Sequence, residues 1–128
     1  MTDARPATQP NFVILYVADP VASATFYSTL LARPPVESSP GFAMFALDSG
    51  VMLGLWKRGE VLPTVDNFGA GAELAFAVQD NAAVDALRAA WAGRGLPLLQ
   101  APVKMDFGYT FVAADPDGHR LRVFAPGA

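Results

Sequence analysis

Two tryptophans, one histidine and no cysteine set the chemical repertoire of this 128-residue chain. Without a thiol there is no disulfide, no thiolate nucleophile and no cysteine-held zinc, and His119 alone cannot close a zinc site. A serine–histidine–aspartate triad would have to use His119, and no G-x-S-x-G elbow presents a serine to it. Asp115-Pro116-Asp117-Gly118 resembles the start of a calcium loop but lacks the further oxygen ligands at their spacing, so it reads as a hairpin turn. What remains is the chemistry of aromatic surfaces and of one guanidinium. Trp56, ending the run VMLGLW, offers a planar indole on which a flat ring can stack. Tyr16, Phe42 and Met52 are candidates to line the same surface, the methionine adding an adaptable one. Phe107, Gly108 and Tyr109 enter the segment YTFVAA, where a glycine lets backbone approach a ligand and the flanking rings could wall it. Arg122 is a charge at an inward strand position, where unpaired burial is costly. Either it pairs with Glu73 across a module interface, or it meets a ligand carboxylate bidentately.

These residues need a scaffold, and the pattern of the chain predicts one. FVILYV reads as a strand, and Asp19-Pro20 starts a helix, because aspartate accepts from free first-turn amides and proline has no amide to lose. Ala22, Phe26 and Leu30, beside Tyr27 and Leu31, form the expected apolar stripe of that helix, which ends before Arg33-Pro34-Pro35. VESS, FAMFAL and VMLGLW follow, separated by Pro40-Gly41 and Asp48-Ser49-Gly50, as a three-stranded meander. The pattern then restarts: ELAFAV is a strand, Asp80 caps a helix carrying Val84, Leu87 and Trp91, Gly93 and Gly95 close it, and LPLLQAP, YTFVAA and HRLRVF make a second meander. Trp91 on that stripe reads as core.

Placing Asp19 on Asp80 sets Val13 on Leu74, Val17 on Val78, Phe26 on Leu87 and Leu30 on Trp91. Setting Asp48 on Asp115, with one extra residue in the second turn, brings Gly50 to Gly118, Leu53 to Leu121 and Trp56 to Phe124. The chain is therefore α+β, built of two tandem βαβββ modules: an arm over 1–10, a first module over 11–57, a linker over 58–70 and a second module over 71–128. One helix covers one face of a four-stranded sheet, so two modules are expected to pair and enclose something between their uncovered faces. Strand alternation assigns Val13, Leu15, Val17, Leu53, Leu55, Leu74, Phe76, Val78, Leu121 and Val123 to the helix side. The opposite parity holds Phe12, Ile14, Tyr16, Met52, Gly54, Trp56, Glu73, Ala75, Ala77, Arg120, Arg122 and Phe124, the composition of a pocket lining.

Composition agrees with a small folded domain. Hydrophobic residues make up 52% and charged residues 16%, which excludes a disordered chain, and no apolar run approaches a membrane span. Nine Lys and Arg against twelve Asp and Glu leave a net charge of -3 with no basic cluster, so nucleic acid is not an expected partner. MTDARPATQP lacks the apolar core of a signal peptide, and the expected location is the cytoplasm.

Together, VADPVASATFYSTLL, AFAVQDNAAVDALRAAWAGRG and FGYTFVAADPDGHRLRVF resemble the vicinal oxygen chelate superfamily, which holds glyoxalase I, extradiol dioxygenases and the fosfomycin and bleomycin resistance proteins. The resemblance runs from Asn11 to Phe124. It implies the vicinal oxygen chelate fold, as a homodimer whose modules pair within one chain or across a swapped dimer. The family's metal-ligand places fall on Phe12, Gly54, Glu73 and Arg122, of which only Glu73 could ligate a metal, so neither metal nor cofactor is expected. Within the superfamily the chain is most similar to resistance proteins that bind phenazine antibiotics, through its LYV-x-D start, Trp56, the segment from Phe107 to Phe111 and DPDGH-x-x-RV. This implies metal-independent sequestration of a planar aromatic small molecule, with Tyr16, Phe42, Met52, Trp56, Phe107, Tyr109 and Arg122 as ligand-binding residues and no catalytic residue. Two other readings stand beside it: a glyoxalase- or dioxygenase-like enzyme with a degenerate or displaced metal site, and a module whose pocket is filled by its own side chains or by a partner.

Overall fold

Both helices begin on an aspartate that satisfies amides the first turn leaves unpaired. In the computed structural model, which describes residues 10–64 and 72–127, the Asp19 carboxylate accepts from the amides of Val21 at 3.1 Å and Ala22 at 3.4 Å. Asp80 does the same for Ala83 at 2.9 Å. From these caps run α1 (Pro20–Leu31) and α2 (Asn81–Gly93). Ala32, in the left-handed conformation, closes α1. Gly95, with φ +80, follows α2 and turns the chain back so that the Leu96 amide reaches the Trp91 carbonyl at 3.1 Å.

The chain divides into two compact units, Met1–Phe68 and Gly69–Ala128. In the first, β1 (Phe12–Val17), β2 (Glu37–Ser38), β3 (Phe42–Ala46) and β4 (Met52–Lys57) form a sheet of order β1-β4-β3-β2. In the second, β5 (Glu73–Ala77), β6 (Leu98–Met105), β7 (Gly108–Ala114) and β8 (Arg120–Pro126) repeat that order as β5-β8-β7-β6. Each helix is the crossover between the first strand of its sheet and the meander, and the pair it spans, β1 with β4 or β5 with β8, is parallel. These are the tandem βαβββ modules of an α+β protein, and the repeat persists in the hydrogen-bond register: Phe12 faces Met52 as Glu73 faces Arg120, and Phe42 faces Trp56 as Thr110 faces Phe124.

Each helix packs on one face of its own sheet. In the first module Val17, Ala43, Phe45, Leu53 and Leu55 are buried there with Tyr27. The buried line of α1 is Pro20, Ser23, Ala24 and Tyr27, so of the expected stripe Tyr27 lies at its centre and Ala22, Phe26 and Leu30 do not. Small side chains at Ser23 and Ala24 let the helix lie close to the sheet, and they leave Phe26 and Leu30 half-buried at the flanks and Ala22 exposed. Hydrophobicity alone points to the wrong side of a helix whose contact line is made of small residues. In α2 the expected stripe is the buried one, and Trp91 meets Phe76 and Phe111 edge-on, with centroids 5.6 and 5.5 Å apart.

Two expected boundaries shift. The linker placed over 58–70 opens with ordered chain, a 3-10 turn at Arg58–Glu60 and a buried Val61; its residues 65–70, like residues 1–9 of the arm, lie outside the described residues. β6 runs on past LPLLQAP to Met105, accommodating Pro102 with register shifts that leave it an edge strand. The Asp115 turn is as expected: its buried carboxylate accepts from the amides of Asp117 at 2.9 Å and His119 at 2.8 Å, and Gly118 takes φ +86.

Gly108 has the strictest backbone requirement. Its φ is +140, and a Cβ there would lie 2.0 Å from the carbonyl oxygen of Ala125 on the neighbouring β8. The close approach expected at this glycine is thus to the protein's own strand and not to a ligand. Gly108→Ala is expected to cost about 3 kcal/mol or more, since both the dihedral and the strand spacing must give. Gly118→Ala, strained in φ with open space around its Cβ, is expected to cost about 1–2 kcal/mol. Urea denaturation of the two variants checks the order.

Candidate functional site

Strand pairing stacks the side chains of the first module's uncovered face in rows. Tyr16, Trp56 and Phe42 lie side by side on β1, β4 and β3; Ile14, Gly54 and Met44 form the next row, and Phe12, Met52 and Ala46 the third. The Tyr16 and Trp56 rings meet edge-on, centroids 6.3 Å apart at 76°. Phe12 and Ile14 are exposed, and Tyr16, Phe42, Met44, Met52 and Trp56 are half-buried. Four residues singled out in the sequence, Tyr16, Phe42, Met52 and Trp56, therefore share one apolar face. Met44 belongs there too; its position two residues after Phe42 was the signal for it.

The centre of that face is Gly54. A Cβ at this position would stand 3.0 Å from both Cε1 of Phe12 and Cζ of Phe42. Two aromatic rings thus close over the glycine, using the space a side chain would need. Across β2 the row of Ile14, Gly54 and Met44 continues to Glu37, an exposed carboxylate at the edge of the face.

The equivalent face of the second module carries charge. Arg122 lies opposite Ala75, one step along from the pair Glu73–Arg120, and reaches diagonally to Glu73, its Nε donating to Oε1 at 2.5 Å. Its Nη1 donates to Thr110 Oγ1 at 3.2 Å and to Gln100 Oε1 at 3.4 Å, while Thr110 passes its own proton to the Val123 carbonyl at 2.8 Å. The guanidinium carbon sits 5.6 Å from the centre of the Phe107 ring, which is edge-on to Phe124 at 5.9 Å. Glu73 and Arg122 are both in the second module, so the expectation of a pair across a module interface is corrected to one within a single sheet. Gln100 and Thr110 were missed because each is an unremarkable polar residue until the register puts Gln100 in the row of Val112 and Arg122 and Thr110 in the next row, opposite Phe124.

Phe107 projects from the β6–β7 hairpin beside Arg122, but Tyr109 does not join it. Tyr109 faces Ala125 with the parity of Phe111, toward the helix, and its hydroxyl donates to Asp85 of α2 at 2.8 Å. That hydrogen bond, with burial and the Asp85 charge, raises the phenol above its ordinary pKa, against an opposing pull from Arg88. The expectation that Tyr109 walls a ligand is therefore not met on this face: the strand begins at Gly108, and counting from there puts Tyr109 on the helix side.

The four places assigned to metal ligands do not fit a metal. Phe12 offers a ring, Gly54 is covered by two rings, and the Glu73 carboxylate is engaged by the guanidinium of Arg122. Among the described residues no three of histidine, cysteine, aspartate and glutamate gather as a ligand set. None of the described helices is long and apolar enough to cross a membrane.

Comparison with known proteins follows the same lines. The chain is similar to the phenazine antibiotic resistance protein EhpR of Enterobacter agglomerans, 29% identical, covering 96% of this chain and 97% of that one. Among solved structures it is similar to the solution NMR structure of protein ATC0852 from Agrobacterium tumefaciens, 53% identical with a TM-score of 0.88, covering 95% of this chain and 100% of that chain. It is also similar to a glyoxalase-related enzyme from Fulvimarina pelagi, 25% identical with a TM-score of 0.79, covering 93% of this chain and 88% of that chain. A family model matches residues 9–123, and with the repeated βαβββ modules it shows that the chain belongs to the glyoxalase/bleomycin resistance protein/dioxygenase superfamily.

Proposed function

We propose that this protein binds a planar aromatic small molecule without changing it and acts by sequestration in the cytoplasm, as a homodimer that uses no metal. The observation that carries this reading is the row Tyr16–Trp56–Phe42 on a sheet face that α1 does not cover. A half-buried indole edged by a phenol ring leaves a π-face for a flat ligand, and Met44 and Met52 adapt to its outline. The similarity to a phenazine antibiotic resistance protein supports a flat, fused heteroaromatic such as a phenazine as the ligand class. Phe107 and Arg122 are further candidate contacts. The ion pair with Glu73 already meets much of the charge of Arg122, which favours orientation of a polar substituent over capture of a free carboxylate.

Trp56→Ala is expected to weaken binding of a phenazine by about 1–3 kcal/mol, combining lost stacking and lost apolar contact, and to abolish most ligand-induced quenching of indole fluorescence. The variant should stay folded. Trp91→Ala provides the contrast, with an expected stability loss of about 3–5 kcal/mol from a packed aromatic core. If Trp56→Ala binds as tightly as the parent, the stacking reading is wrong.

Elemental analysis after dialysis against zinc, nickel, manganese or iron should give far less than one equivalent of any of them. A stoichiometric transition metal would favour a metal-dependent enzyme instead. Light scattering at micromolar concentration should report twice the 13.5 kDa mass of the chain; a species of the single-chain mass would count against the dimer.

A further inference from the structure

On its helix side, the second module holds a pocket that the proposed ligand face does not use. It lies between α2 and the β6–β7 pair and encloses about 110 Å³. Trp91, Phe111 and Ala113 form its floor, Leu96 and Leu98 its far wall, and Arg88 its rim. Its construction follows from the local sequence. Arg88 and Trp91 stand three residues apart on one flank of α2. The turn at Gly95 folds Leu96 back under the helix end, and Leu98, paired with Ala113 just before a register shift in β6, points to the same side.

Two features define what such a pocket accepts. The floor is aromatic, Trp91 and Phe111 being buried, whereas Leu98 stays 47% exposed although it faces the apolar side of the sheet. The rim is cationic. The Arg88 guanidinium makes no ion pair within 4 Å among the described residues, and Asp85, three residues earlier, directs its Oδ1 to the Tyr109 hydroxyl at 2.8 Å. A closed cavity of about 150 Å³ lined by apolar side chains accepts benzene; at about 110 Å³ and open on one side, this pocket takes in a single ring with part of it standing in the mouth. We infer that the α2–β6–β7 pocket is a second binding site, taking a single-ring aromatic carboxylate with its ring among Leu96, Leu98 and the edge of Trp91 and its carboxylate on Arg88. The site differs from the Trp56 face in position, size and charge, and it stands whether or not that face binds phenazines.

The test is a titration of the full ¹⁵N-labelled chain with benzoate, read by amide and indole shifts. Saturable shifts are expected at the Trp91 indole and along 88–98 and 111–113, with the Trp56 indole unmoved. Arg88→Gln should weaken benzoate about tenfold, as loss of a charge-assisted pair does, and leave benzyl alcohol within about twofold. Ala92→Phe, at an exposed helix position lining the pocket, should plug it and remove both ligands while the spectrum stays folded. Shifts gathered on Trp56, no saturable shift at all, or unchanged benzoate affinity in Arg88→Gln would each overturn the inference. So would a drop in mass of Ala92→Phe by light scattering, which would make the pocket a contact between copies. Should Ala92→Phe fail to fold, the comparison of benzoate with benzyl alcohol in Arg88→Gln still decides.

Discussion

One helix cannot cover both faces of a four-stranded sheet, and the rest of this protein follows from that constraint. Strand alternation sends every second side chain to each face, so the sheet must supply a packed core on one side and a surface of a different kind on the other. In the first module the core side buries Val17, Phe45, Leu53 and Leu55 under Tyr27 of α1. The other side keeps Phe12, Ile14, Phe42, Met44, Met52 and Trp56 partly open to solvent. Apolar side chains left in this way are only partly removed from water, so the face carries more apolar surface than its own fold covers.

The two modules answer the same constraint with different chemistry. The registers are equivalent, so Trp56 corresponds to Phe124, Phe42 to Thr110, Gly54 to Arg122 and Phe12 to Glu73. Where the first module has two rings over a glycine, the second has a carboxylate gripping a guanidinium. Arg122 is tolerated because all its local partners lie on its own sheet: Glu73, Thr110, Gln100 and the Phe107 ring. A guanidinium held from several sides has little conformational freedom left, and its stem and plane lie fixed on the sheet.

Much of this was legible in the sequence because the repeat carries its own check. The capping aspartates, the glycine turns and the strand parity each recur, and errors in one module would have broken the alignment with the other. The rest was hidden for physical reasons that can be named. The contact line of α1 runs through Ser23 and Ala24, whose small size is the point of the contact and is invisible to a search for large apolar residues. Tyr109 looked like a pocket wall because it adjoins Phe107, yet Gly108 lies between a hairpin tip and a strand, and side-chain direction changes there. The partner of the Tyr109 hydroxyl, Asp85, sits far off in sequence on a helix face with no motif to mark it. The pocket beside Arg88 was equally unreadable, since it depends on where a bulged edge strand passes a helix end.

Gly54 sets a steric condition on any side chain placed at the centre of the first module's uncovered face. A metal ligand at that strand position needs a side chain projecting onto the uncovered face, and a histidine or glutamate begins with a Cβ. That atom would meet the rings of Phe12 and Phe42 at 3.0 Å, closer than ordinary van der Waals contact. To admit that Cβ, both rings must give by a few tenths of an ångström, and the rest of the side chain would need further room between them. Restoring Phe12 to a ligand as well would remove one of the two rings that close over Gly54. On this sheet a side chain at position 54 and the rings of Phe12 and Phe42 therefore draw on one space, and the glycine leaves it to the rings.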